Sequence, residues 1–94
     1  FHAGQSFAYA GSKYYQKAIG CFKKSYYADN DCWNAYVTGT IAFLENDNNR
    51  VKDQIKFIED SKLKNKKGGN IEILKNFSKC LEDGITNYPK AYEL

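Results

Sequence analysis

The sequence predicts an all-α domain of about five helices packed as antiparallel hairpins. Three observations carry this. Apolar residues recur at spacings of three and four in five separate segments. Clusters of Gly, Asn and Asp stand between those segments, where turns and caps need them. One proline and a scarcity of β-branched residues leave little from which to build a sheet. Ninety-four residues fit a single domain, 1–94, and a hydrophobic content of 43% supplies one core.

The first segment, about 2–10, carries Ala3, Phe7 and Ala10 and stops at Gly11. The second, about 12–27, carries Tyr15, Ala18, Ile19, Phe22 and Tyr26, with Ser12 as a candidate cap. Trp33, Val37, Ile41 and Leu44 mark the third, about 31–45, behind Asn30 or Asp31. Val51, Ile55 and Ile58 mark the fourth, about 49–61. The fifth, about 71–86, carries Ile71, Leu74, Phe77, Leu81 and Ile85, with Asn70 as cap and Glu72 favourable in the first turn. Pro89 suits the opening of a short sixth helix. The stripes place Ala18, Phe22, Ile41, Leu44, Ile55, Leu74 and Leu81 in the core. The one long connection, 62–70, is expected to be an exposed, flexible loop.

Chemistry-bearing motifs are few. There is no phosphate-binding glycine loop and no nucleophile elbow. His2 is the only histidine, and it stands at the start of the chain, a poor place for a positioned base. Glu59-Asp60 and Glu82-Asp83 are adjacent pairs whose side chains diverge on a helix. The expectation is a protein that is not an enzyme, with no cofactor, no metal and no small-molecule substrate. Cys21, Cys32 and Cys80 form no CxxC motif and are expected to be small apolar residues. Cys21 and Cys32 are not expected to pair, because their helical positions offset them along the axis. Asn76-Phe77-Ser78 matches a glycosylation acceptor pattern, but it sits in a helical segment with Phe77 on the apolar side.

Fourteen basic and eleven acidic residues give a net charge of +3. The sharpest charge feature is the run Lys62, Lys64, Lys66, Lys67. It offers phosphate contacts to a nucleic acid. Against this stand a single arginine and an acidic middle third, so nucleic acid is the weakest partner reading. No apolar run is long enough to span a membrane. With no methionine anywhere, the first residue included, the expectation is either that a leader was removed or that the chain is a fragment of a longer one. The compartment stays open, with a soluble, cytoplasmic setting favoured over a periplasmic one.

Ala18, Phe22 and Ser25 repeat their spacing in Val51, Ile55 and Ile58, 33 residues later. The stretch Gly11 to Asn30 resembles a tetratricopeptide repeat (TPR), with Tyr15-x-x-Ala18-x-x-x-Phe22 as the aromatic, small, aromatic core of the family's second helix. Gly39 to Ile58 resembles the next repeat, with Gly39 where paired helices cross closely. Val51 and Ile58 are larger than the family's small residues, and no proline ends either unit. From Gly4-Gln5 through Trp33-Asn34-Ala35-Tyr36-Val37, Thr40 to Leu44 and Pro89 to Tyr92 the chain also resembles uncharacterised bacterial proteins. That resemblance carries no assigned activity and implies that residues 1–94 are the C-terminal part of a longer chain.

The TPR resemblance implies a concave groove lined by the first helix of each hairpin. Phe7, Trp33, Tyr36, Thr40, Phe43 and Phe77 are the candidate binding residues, expected to hold an extended peptide, a partner helix or another copy of the chain. Two readings compete with this interaction module. The same aromatics are ordinary core, or the domain completes the core of a larger protein.

Overall fold

The computed structural model describes residues 1–27, 31–61 and 71–92. Among them are six α-helices, one 3-10 turn and no strand, so the chain is all-α. The helices are α1 (His2–Ala10), α2 (Tyr15–Lys23), α3 (Asp31–Leu44), α4 (Asn48–Ser61), α5 (Ile71–Glu82) and α6 (Tyr88–Tyr92). The 62–70 connection with its lysines lies outside the described residues, as do the candidate caps Asn30 and Asn70.

Local chemistry sets the boundaries. Gly11 ends α1 at φ 125° and ψ 170°, a region open essentially to glycine alone. Ser12 does not cap α2; it opens the 3-10 turn Ser12–Tyr14, which leads into the helix. Asn46, at φ 57°, ends α3. There the Asp47 amide donates to the Ala42 carbonyl and the Asn46 amide to the Phe43 carbonyl, the paired bonds of a Schellman cap. Asp47 then caps α4, its Oδ1 accepting from the Arg50 amide at 3.2 Å. Gly84, at φ 77°, repeats the Schellman arrangement after α5, with Ile85 donating to Cys80 and Gly84 to Leu81. The chain turns out of the helix at Gly84, so α5 stops short of the expected 86. Asn87 caps α6 through the Lys90 amide at 3.0 Å.

Helix α3 is the hub. It packs on α2, α4 and α5, while α6 packs on α5 and α1. Ten of its fourteen residues are buried, Ala35 to Val37 and Gly39 to Leu44 among them. A helix apolar on nearly every side belongs inside a domain. Ala18, Phe22, Ile41, Leu44 and Leu74 are buried as the stripes require. Ile55 and Leu81 are half-buried against that core. Gly39 does sit at a close helix crossing, but the neighbour is α5: a Cβ built there lies 2.6 Å from Leu74 Cδ2.

The C-terminal segment is locked onto the front of the molecule by a buried polar knot. Tyr15 donates its hydroxyl to the Thr86 carbonyl at 2.8 Å and accepts the Tyr88 amide at 2.9 Å. Gln5 Nε2 donates to the Tyr88 hydroxyl at 3.4 Å. Tyr88 is fully buried, its ring edge-on to Tyr9 and stacked on Tyr92.

Two glycines within helices should respond oppositely to the same change. Gly39→Ala drives a methyl into Leu74 and is expected to cost about 1–3 kcal/mol. Gly20 has nothing within 4 Å of a built Cβ. Gly20→Ala is therefore expected to stabilise by roughly 0.5–1 kcal/mol through helix propensity. Urea denaturation midpoints moving in opposite directions check both.

Candidate functional site

The expected groove is not a surface. Tyr36 is 4% exposed, Phe43 1%, and Thr40 and Phe77 are fully buried. Phe43 stacks on Phe77 with ring centroids 4.6 Å apart, and Tyr88 covers both from 6.4 and 5.7 Å. Tyr36 meets Phe1 and Trp33 at 5.6 and 5.7 Å. The Thr40 hydroxyl donates to the Tyr36 carbonyl within its own helix at 2.9 Å. Tyr36 and Phe43 do share one side of α3, as seven-residue spacing requires. That side is closed over by Phe1, by α5 and by the Tyr88 ring of α6. It is the wall of the core, and the aromatic content is spent on packing.

Phe7 and Trp33 are half-buried at the edge of the core, Trp33 against Tyr36 and Phe7 away from both Tyr36 and Phe43. Phe7 lies 6.2 Å from the Tyr14 ring, beneath the Lys17 ammonium at 5.9 Å. Trp33 donates Nε1–H to the Ser25 carbonyl at 2.7 Å and packs on Phe1 and Tyr27. His2 is exposed, its Nδ1 3.3 Å from Gln5 Oε1. Among the described residues no group of three or more His, Cys, Asp or Glu is placed to hold a metal ion. Cys32 and Cys80 are buried thiols and Cys21 is half-buried; none of the three is paired. Burial pushes the Cys80 thiol up from its ordinary pKa, and the Asp83 carboxylate adds to the effect. No helix among the described residues is long and apolar enough to cross a membrane.

The open surface of α3 is its other side. Asp31, Asn34 and Thr38 fall on one strip, three and four residues apart, and none of them is buried. With Ala35, and with Gln54 and Phe57 of α4, they line an open groove of about 350 Å³. Phe57 is 43% exposed, one of the few large apolar side chains left in water. Tyr26 is outside the lining but bonded to it, 41% exposed, with its hydroxyl 2.9 Å from Thr38 Oγ1. Asn34 grips the turn behind it: Oδ1 accepts the Tyr27 amide at 2.8 Å and Nδ2 donates to the Tyr27 carbonyl at 2.6 Å. Tyr26 thus sits outside the core stripe expected for it.

The groove is edged by carboxylates. Asp31 lines it, and Asp53 and Asp60 lie four residues before and three after Phe57, on the same side of α4. On the opposite flank α4 is tied to α5 by Lys52–Glu82 at 2.8 Å and Glu59–Lys75 at 3.5 Å. Lys52 holds the Glu82 carboxyl below its usual range. Arg50 is bound to Glu45 at 2.6 Å. Among the described residues no ion pair engages Asp31, Asp53 or Asp60.

Comparison with known proteins returns no match: no protein-family description fits the sequence, no curated protein aligns with it and no solved structure matches it.

Two outcomes follow from the buried aromatics. Phe43→Ala empties a site between Phe77 and Tyr88 and is expected to cost about 3–5 kcal/mol in a urea melt. Tyr15, Tyr36 and Tyr88 all have pKa values raised above the ordinary 10, chiefly by burial, with neighbouring tyrosines adding to it for Tyr36 and Tyr88. Their neutral forms are favoured in the fold. Stability from them is full below pH 10 and is lost as pH rises from there through the raised values, because the unfolded chain ionises first. Urea midpoints measured between pH 8 and pH 11.5 should be level at first and then fall.

Proposed function

We propose that this chain is a non-catalytic protein-interaction module, and that the groove between α3 and α4 is where its partner docks. The observation that carries the reading is Phe57. It is a large apolar ring held in water at the edge of an open groove, with Tyr26 tethered nearby by a hydrogen bond. Large exposed apolar groups gathered on one face mark contacts. The partner the groove suits is a protein segment that presents an apolar side chain flanked by Lys or Arg. The apolar group meets Phe57 and Ala35, the cations meet Asp31, Asp53 and Asp60, and Asn34 and Gln54 offer amide hydrogen bonds.

A TPR-like array remains part of this reading. Its support is the 33-residue recurrence in the sequence. The docking surface argued here differs from the one the resemblance implies, since the inner side of α3 is filled by α6.

Selection from a random peptide display library on the folded protein tests the proposal. Peptides with an apolar residue beside two or more basic ones are expected to be enriched. Their binding should weaken about tenfold or more with Phe57→Ser, a change at an exposed position that leaves stability within about 1 kcal/mol. No enriched class, or a class that binds the Phe57→Ser protein equally well, rejects the groove.

A further inference from the structure

The outer side of α2 is the charge complement of the groove. Lys17 and Gly20 lie in the helix, with Lys13 in the 3-10 turn before it and Lys24 just past its end, at spacings of four, three and four and opposite the buried Tyr15, Ala18, Ile19 and Phe22. All four are exposed, as is Lys23 beside them. Residues 1–28 contain no Asp or Glu at all. Among the described residues no ion pair engages these lysines. Lys13 lies instead over the Tyr14 ring at 5.1 Å and Lys17 over Phe7 at 5.9 Å. At Gly20 the backbone itself is open to approach, with nothing within 4 Å of a built Cβ.

The two surfaces divide the charge of the chain. Residues 1–30 sum to +3, from four lysines against Asp29. Residues 31–60 sum to −3, from six carboxylates against Arg50, Lys52 and Lys56. In the second stretch Arg50 is held by Glu45 and Lys52 by Glu82, which leaves Lys56, three residues after Asp53 and four before Asp60, as the cation beside the three groove carboxylates. A molecule with one basic, acid-free helix face and one acid-edged aromatic groove is complementary to itself.

We infer that the groove's partner is the α2 face of a second copy of this chain, an inference that rests on the proposed docking role of the groove. Lys17 and Lys24 enter beside Asp31, Asp53 and Asp60. Their aliphatic stems cover Phe57, and the gap at Gly20 lets the helix approach the groove closely. The Lys-over-ring contacts that α2 makes with Phe7 and Tyr14 show the packing that Phe57 and Tyr26 offer to an incoming lysine. The contact is heterologous, because the two surfaces belong to different helices. Each copy in a pair therefore keeps one surface unused, and assembly continues head to tail into a ring or a filament. Exposed ion pairs are individually weak and screened by salt, so the association is concentration-dependent and strongest at low ionic strength.

The experiment is sedimentation velocity on the whole 94-residue chain with two variants, both altered only at exposed or half-exposed positions. One is Lys17→Gln/Lys24→Gln; the other is Asp53→Asn/Phe57→Ser. The wild type is expected to exceed its monomer mass of 10.8 kDa at low salt and to return to it near 1 M salt. Each variant alone should remain monomeric. An equimolar mixture should form dimers and stop there, since it contains one intact basic face and one intact groove. Circular dichroism on each variant separates loss of fold from loss of contact. A wild type that stays monomeric at low salt up to about 1 mM overturns the inference. So does self-association that survives either variant, or a mixture that fails to dimerise. Binding of α2 to a DNA oligonucleotide in the absence of self-association overturns it as well, and assigns that face to a polyanion. If selected basic-apolar peptides bind the groove while the chain stays monomeric, the docking role stands and only the identity of the partner falls. If no such peptide binds either, both fall.

Discussion

The structure depends on the burial of α3. Helices α2, α4 and α5 are placed by what they cover on that helix. Packing of α4 falls along Val51 and Ile58, α5 inserts Leu74 against Gly39 and Phe77 against Phe43, and α2 brings Phe22 and Ser25 toward Trp33. A helix of Ala, Val, Ile, Gly and Thr with bulky residues at Tyr36, Phe43 and Leu44 can be approached closely on some sides and must be capped by rings on others. Fully burying each large side chain contributes about 1.5–3 kcal/mol. That is a large part of the margin by which a domain of this size is stable. The polar cost is low: Thr40 is the one fully buried polar side chain on the helix, and its hydroxyl is satisfied by the Tyr36 carbonyl.

The Tyr15 hydroxyl is the second constraint. It satisfies a donor and an acceptor at once on a segment more than seventy residues away. Without it the Tyr88 amide, at the mouth of a helix of five residues, would be buried with no intrahelical partner. With it, α6 is fixed where Tyr88 and Ala91 seal Phe43 and Phe77. Burial raises the pKa of Tyr15 and Tyr88 because the phenolate form would lose its water, so the same lock that is secure at neutral pH is the one that alkali opens.

Periodicity was enough to read the elements, and α1 ends at Gly11 and α3 opens at Asp31 where the residue types place those boundaries, while α2 and α5 stop short of theirs. The site was not legible in the same way. Spacing reports that Tyr36, Thr40 and Phe43 share one side of a helix, but not which element covers that side. Coverage came from α6, a helix too short to announce itself by periodicity, held by a hydrogen bond from the Tyr88 amide to the Tyr15 hydroxyl that no local pattern encodes. The readable signal for the outer groove was weaker but present. Phe57 lies off the Val51, Ile55, Ile58 stripe, and an aromatic ring off the stripe of an otherwise charged helix has no core to enter. Tyr26 continued the α2 stripe on paper. In the structure α2 ends at Lys23, so the helical phase that would have buried Tyr26 is gone.

That early stop also explains why the rings at the groove are in water without being slack. The Tyr26 hydroxyl is hydrogen-bonded to Thr38, and both polar backbone groups of Tyr27 are taken by the Asn34 amide. An exposed ring on a free turn would lose rotamer and backbone freedom on binding, about 0.5–1.5 kcal/mol for each side chain immobilised. Here much of that ordering is already complete in the isolated domain. The strip Asp31, Asn34, Thr38 is polar because it holds the turn in this posture. The same polarity prevents α3 from being covered on its last open side by another element of its own chain, since a covering helix would strand a carboxylate and an amide away from water. A partner that supplies cations and leaves the groove's rim wet avoids that cost, which is why the face left open by the fold suits a charged, separable partner better than a permanent one.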